Sequence, residues 1–194
     1  MITEPASGAY GYFTDIGFFG APKEPRGPAP EVGLPPGDAP VHVTAAEPTA
    51  VAQYGPPTLF SSGPLEVGTR RSPYGLVSSW ASVQKLNRSG EEVFTAERVQ
   101  STCSAWASGA CGFTQVTGGR LALGGSVVDI PGVPAPNTSY EGTIPGIGDR
   151  FRAVVNEQHV GDGSITINAV HVYLLGPNAV GDVIIGQSRC RSRQ

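Results

Sequence analysis

The stretch from Arg150 to Cys190 constrains the fold most. It holds three apolar-rich runs separated by turn residues. The first covers roughly Phe151 to Val160 and ends at Gly161-Asp162-Gly163. The second, Ser164 to Leu175, ends at Gly176-Pro177-Asn178, and the third covers Asp182 to Arg189. In the middle run Ile165, Ile167, Ala169, Val172 and Leu174 are interleaved with Ser164, Thr166, Asn168, His171 and Tyr173. Alternation with a period of two marks a strand with one face buried and one face wet. Asp-Gly between two such runs is a hairpin signal. Together the runs predict a three-stranded antiparallel meander at the heart of the domain. The alternation slips by one residue at Ala169-Val170-His171. Such a slip puts neighbours on the wrong face unless a bulge or an edge absorbs it.

The rest of the chain extends the same pattern. Its 194 residues include 27 glycines and 18 prolines. Each proline removes an amide donor and each glycine weakens a helix, so long helices are excluded and short strands joined by turns are favoured. Gly8 to Phe19 reads as a first strand, alternating around Tyr10, Tyr12 and Ile16. Gly20 to Pro40 is rich in proline and reads as an extended connector without a core of its own, either a linker or a docking arm. Val41–Ala45, Thr58–Ser62 and Leu65–Arg71 are short strand candidates, followed by Leu76–Leu86. After a turn at Asn87-Arg88-Ser89-Gly90, strands are expected over Phe94–Trp106, Ala110–Val116 and Arg120–Ile130. Pro131 to Gly148 reads as a long proline- and glycine-rich loop, the kind that is usually functional or poorly ordered. The expected architecture is all-β: an antiparallel β-sandwich with Greek-key or jelly-roll-like connections and long Pro/Gly-rich loops, forming a single domain over residues 1–194.

Charge and length exclude several classes of function. The net charge of −3 is too small to argue for a nucleic-acid partner. No run of about 18 apolar residues exists to span a bilayer as a helix. Met1 to Gly20 lacks a basic start and an uninterrupted apolar core, so it does not read as a secretion signal.

Candidate chemistry is sparse. His42, His159 and His171 each fall on the polar set of an alternating run. Glu157, beside Asn156 and His159, is the one cluster of acid, amide and imidazole. Strand alternation puts Glu157 and His159 on one face, about 7 Å apart. Asp162 with Asp129, Asp149 or Asp182 has the oxygens for calcium, but no D-x-D-x-D-G loop arranges them. Phosphate-loop and dinucleotide motifs are absent, and no G-x-S-x-G elbow precedes a helix. Arg189, Arg191 and Arg193 share one side if the last strand continues, a set that suits a carboxylate or an acidic patch. Asn137-Thr138-Ser139 matches a glycosylation sequon. No cofactor and no catalytic or metal-binding residue is predicted.

The cysteines are Cys103, Cys111 and Cys190. An odd number in an exported protein leaves one thiol free or paired between chains. A Cys103–Cys111 hairpin clip is one arrangement, and three reduced buried cysteines, as in a cytosolic protein, is another. No C-x-x-C and no histidine at ligand spacing from a cysteine point to a metal.

Five blocks, taken in order, resemble one family: S-T-C-S at Ser101–Ser104, V-P-A-P-N-T at Val133–Thr138, V-V-N-E-Q at Val154–Gln158, G-D-G-S-I-T-I-N-A-V-H-V at Gly161–Val172 and G-D-V-I-I-G at Gly181–Gly186. The chain from about Gly8 onward is similar to the choice-of-anchor P family, surface proteins found mostly in actinobacterial-type Gram-positive bacteria. The resemblance implies an extracellular, mostly β domain with no established activity. It also implies a cysteine in the S-T-C-S strand and another near the chain end, hence a Cys103–Cys190 disulfide. Members of that family typically carry a leader and various anchors, which are not found in this sequence.

The expectation is a non-catalytic extracellular structural or surface protein. It would be a subunit that assembles by edge-strand or arm exchange into a filament or surface layer, with itself or with other surface proteins. The alternative is an envelope- or glycan-binding module. Its candidate stacking groups are Tyr10, Tyr12, Phe13, Phe18, Phe19, Tyr54, Tyr74, Trp80, Trp106 and Tyr140. A third reading, a hydrolase, needs Glu157 to meet another carboxylate at catalytic distance.

Overall fold

A computed structural model describes residues 7–35, 37–45, 49–51, 60–86 and 93–192. Among the described residues every regular element is a strand. One sheet has six strands in the order β12 (Thr138–Thr143), β13 (Arg150–Gly161), β14 (Ser164–Leu175), β15 (Ala179–Arg191), β1 (Gly8–Phe18) and β2 (Glu24–Gly33). The other runs β11 (Val127–Asp129), β10 (Arg120–Ala122), β8 (Phe94–Trp106), β7 (Val77–Leu86), β6 (Leu65–Arg71) and β3 (Val41–Ala45). β9 (Gly109–Thr117) pairs with β8 beyond the point where β10 does. A small ribbon joins β4 (Thr49–Val51) to β5 (Phe60–Ser62). All pairings are antiparallel, and the two large sheets pack face to face as a β-sandwich.

Valine, isoleucine, leucine and phenylalanine from both inner faces fill the space between the sheets. Phe94, Leu121, Phe151, Val170 and Ile185 belong to one continuous cluster. Fully burying one such side chain contributes about 1.5–3 kcal/mol. Cys103 and Cys190 form a disulfide across this interior, from β8 in one sheet to β15 in the other, with Cα atoms 5.9 Å apart. Ile165, Ile167 and Ala105 pack around it. The first and last strands meet as well: β1 lies beside β15, and the Ser7 hydroxyl accepts a hydrogen bond from the Arg191 amide at 2.9 Å.

Three segments differ from their sequence reading. Within the proline-rich stretch 20–40, read as a linker or a docking arm without a core of its own, Glu24–Gly33 is a strand, β2, paired along β1 as the edge of the chain's own sheet. An edge strand tolerates Pro25, Pro28 and Pro30 because a missing amide costs little where no neighbour needs it. Arg120–Ile130 is a short hairpin rather than one strand, since Gly124-Gly125 separates β10 from β11. Pro131–Gly148 is not all loop, because Thr138–Thr143 zips onto β13 as β12. The Asn87–Gly90 turn, Tyr54 and Arg193 lie outside the described residues.

The slip at Ala169 is shared by four strands. Asn156, Ala169, Gly186 and Gly11 fall opposite one another at a gap in the ladder, and the pairing register is the same on both sides of it. On each strand two consecutive residues face inward there, as with Val155 and Asn156, or Ala169 and Val170. Asn156 and Gly186 take left-handed backbone angles, φ 55° and 64°, which asparagine and glycine accept most readily. The four strands flip together, so no side chain is stranded on the wrong face. The flip brings polar groups from β13, β14 and β15 together on the outer face.

Candidate functional site

The outer face of the six-stranded sheet carries a polar network centred on Glu157. Cross-strand register places Glu157 beside Asn168, Asn168 beside Gln187, and Gln187 beside Tyr10. The next outward position on β14 after Asn168 is His171, because of the flip, and then Tyr173. Glu157 Oε2 accepts from Asn168 Nδ2 at 2.7 Å and meets His171 Nδ1 at 2.7 Å. The Tyr173 hydroxyl donates to Glu157 Oε1 at 2.5 Å. His159 Nε2 stands 3.5 Å from Oε2, on the same face as sequence alternation requires. The other nitrogen of His171, Nε2, lies 3.3 Å from Asp182 Oδ1, and Lys23 Nζ lies 3.7 Å from Asp182 Oδ2. Gln187 donates to Asn168 Oδ1 at 2.8 Å. The His171 and Tyr173 rings stack at 3.8 Å, with the Arg152 guanidinium 4.4 Å from the Tyr173 centroid.

Protonation follows from these contacts. Burial by itself pushes the Glu157 carboxyl up, but hydrogen bonds from His171, Tyr173 and Asn168 outweigh it and hold the group down at about 2. Burial and the adjacent carboxylate push the Tyr173 phenol up to about 12. Burial likewise raises Tyr10. Glu157 is therefore a carboxylate at neutral pH, and Tyr173 is a neutral donor to it. His171 faces a carboxylate oxygen from each ring nitrogen; an imidazolium can donate to both, a neutral ring to one. The sequence groups Glu157 with Asn156 and His159, but Asn156 turns inward and donates to the Pro134 carbonyl. The closer partners come from a strand that pairs through the Gly161-Asp162-Gly163 turn.

Beside this network a shallow cleft of about 280 Å³ is lined by His159, Val160, Thr166, Arg189 and Arg191. Arg189 and Arg191 do share the outer side of β15, and Arg189 NH2 reaches Glu31 Oε1 at 3.5 Å.

The acidic residues weighed for calcium are dispersed. Asp149 is buried, and it accepts from the amides of Asn178 and Ala179 at 2.7 and 2.6 Å, bracing the β14–β15 turn. Asp129 pairs with Arg120 at 3.2 Å and Asp182 with His171. Among the described residues no group of three His, Cys, Asp or Glu side chains is placed to hold a metal. His42 sits on β3, 2.9 Å from Glu66.

The candidate stacking groups separate by face. Tyr10 and Phe18 are buried, and Tyr12 and Tyr140 pack against the core. Phe19 and Tyr74 are exposed singly in loops. Trp80 and Trp106 share the outer face of the seven-stranded sheet with Phe113, which is not among the sequence candidates. Phe113 and the free Cys111 lie on β9, and among the described residues β9 pairs with no strand besides β8. Comparison of the chain with protein-family models, with curated proteins and with solved structures finds no match.

Proposed function

We propose that this chain is a non-catalytic structural module of the cell exterior, akin to the choice-of-anchor P proteins it resembles, that assembles by joining sheet edges. The observation that carries the reading is the edge of β9, partly open from Gly109 to Gly112. Exposed edges normally carry proline, lysine, bulges or a covering segment. β2 has its prolines, β12 has Glu141 paired with Arg150, and β3 has only five residues. β9, with the sequence GACGFTQVT, has no proline and no charge. The Val116 amide donates to the Gly132 carbonyl at 2.9 Å rather than to β8, so even-numbered positions turn their backbone groups outward. Ala110 and Gly112, both partly exposed, are thus the rungs on which a second copy can build, while Thr114 is covered. The Gly112 carbonyl already takes one bond, from Gln158 Nε2 at 3.1 Å, and a carbonyl has a second lone pair. An antiparallel β9–β9 joint uses the same strand on both copies and closes with two-fold symmetry.

Two further features support the reading. A buried inter-sheet disulfide suits an oxidising compartment. Glu157 accepts from three side chains and is held far below neutrality, unlike a general acid or base, whose working pKa lies near the operating pH. The arm-exchange version loses its support, since β1 and β2 are engaged in their own sheet.

Light scattering after size exclusion tests the proposal on Cys111→Ser protein, with Phe113→Lys added as an edge charge. The parent should associate as concentration rises, and the lysine variant should need about tenfold more protein to do so. Equal association in both, or a monomeric parent throughout, contradicts the proposal.

A further inference from the structure

Trp80 and Trp106 are built alike. Each is the cross-strand partner of a glycine: Trp80 pairs with Gly68 on β6, and Trp106 with Gly109 on β9. A methyl group at Gly68 would overlap the Trp80 indole. A Cβ at Gly109 would stand 3.6, 3.8 and 3.9 Å from Cζ2, Cε2 and Nε1 of Trp106. Near-equal distances to neighbouring ring atoms mean that the flat of the indole, not its edge, is turned to the glycine. The opposite flat is then turned outward. Trp106 is 38% exposed, and Trp80 is half-buried beside His42, whose ring centroid lies 6.1 Å away.

The surface between the rings is neutral and hydroxylic. Trp80 pairs with Thr102, and Trp106 lies four residues further along β8. From strand rise and strand spacing their Cα atoms are roughly 14 Å apart. Thr102, Ser104 and Ser78 lie between them, with Phe113 beside Thr102. The Ser78 and Ser104 hydroxyls meet at 3.2 Å, and Gln100 donates to Thr102 at 3.2 Å. Each hydroxyl keeps hydrogen-bonding capacity for a ligand. Charge surrounds the strip, with Arg70 beside Ser78, Glu66 paired with the His42 that stands by Trp80, and Arg98 tied to Ser82 and Gln100.

We infer that this face binds a neutral, linear polysaccharide, one sugar stacked on each indole and the intervening hydroxyls bonded to the Thr102–Ser104 strip. The apolar flat of a sugar ring matches an indole laid parallel to the sheet, and its hydroxyls match uncharged side chains. A protein partner would find two separated rings rather than one contiguous apolar patch. The inference does not depend on association through β9.

Titration calorimetry and tryptophan emission test it on Cys111→Ser protein. The probes are hexamers of β-1,4-linked N-acetylglucosamine and of β-1,4-linked glucose, with the dimer of each as a short control. At least one hexamer should bind and shift the emission, while its dimer, reaching one ring, binds more weakly. Trp106→Ala should weaken the hexamer by about tenfold with unchanged thermal unfolding, and Gly68→Ala, which lifts the Trp80 indole, by a similar factor while the protein stays folded. Failure of both hexamers to bind overturns the inference. So does binding that is indifferent to both substitutions.

Discussion

On the outer face of the six-stranded sheet, Glu157 gathers bonds from Asn168, Tyr173 and His171, and Gln187 closes the far end. On the outer face of the seven-stranded sheet, Trp80 and Trp106 lie over glycines among hydroxyls that are only partly engaged. The first face holds the richer set of chemical groups, yet those groups bond to one another. The second holds weaker chemistry and leaves it turned toward solvent. The edges follow the same division: proline and charge guard β2 and β12, whereas β9 is covered at Thr114 and Val116 and carries neither proline nor charge toward Gly109. A cluster of acid, imidazole and phenol is thus a poor guide to function when its members satisfy each other. Open rings and open ladder positions are the better one.

The largest effect should come from uncoupling the two sheets. Cys103→Ser with Cys190→Ser removes the closure of a loop with sequence separation 87. By chain entropy this costs about 4–5 kcal/mol. Denaturant unfolding with and without reductant measures it: reductant should reproduce the double substitution in the parent and leave the variant unmoved.

Next comes the network itself. Glu157→Gln keeps the shape but removes the charge that three groups address, and should cost about 2 kcal/mol. Gln100→Ala, its counterpart on the other face, should cost under about 0.5 kcal/mol. Equal losses would erase the distinction between the faces. Acid should sharpen it. Folding depresses the Glu157 carboxyl to about 2 from 4.5. Its stabilisation is therefore complete above about 4.5 and is lost as pH falls toward about 2. Chemical unfolding across that range should show a loss of about 1–3 kcal/mol that Glu157→Gln flattens. Carbon NMR of the Glu157 carboxyl reads the same quantity directly, and a midpoint near 5 or above would refute this network. The smallest effect on stability, near zero, is expected of Phe113→Lys, whose consequence is confined to association.

Much of the fold was legible in the sequence. Alternation gave β13, β14 and β15 nearly to their ends, and Val41–Ala45, Leu65–Arg71 and Phe94–Trp106 coincide with β3, β6 and β8. β2 was hidden because proline argues against a strand unless one knows that the strand is an edge. β12 was hidden because its partner, Arg150–Val155, lies across a loop whose composition masks the pairing. The Cys103–Cys190 bridge came from family resemblance, not from spacing. The Glu157 network was half visible: alternation gave Glu157 and His159, and the slip at Ala169 was the sign that His171 and Tyr173 had changed sides. Which strands carried the matching flip depends on register between strands, and no single strand records it. The two tryptophan–glycine pairs were out of reach for the same reason.

Backbone amide exchange, compared between dilute and concentrated Cys111→Ser protein, tests most directly the claim that molecules meet through the seven-stranded sheet. The account predicts slowed exchange at Ala110 and Gly112 in the concentrated sample, with β2 and β12 unchanged. Slowing at Glu24–Gly33 or Thr138–Thr143, with β9 exchanging as before, would contradict it.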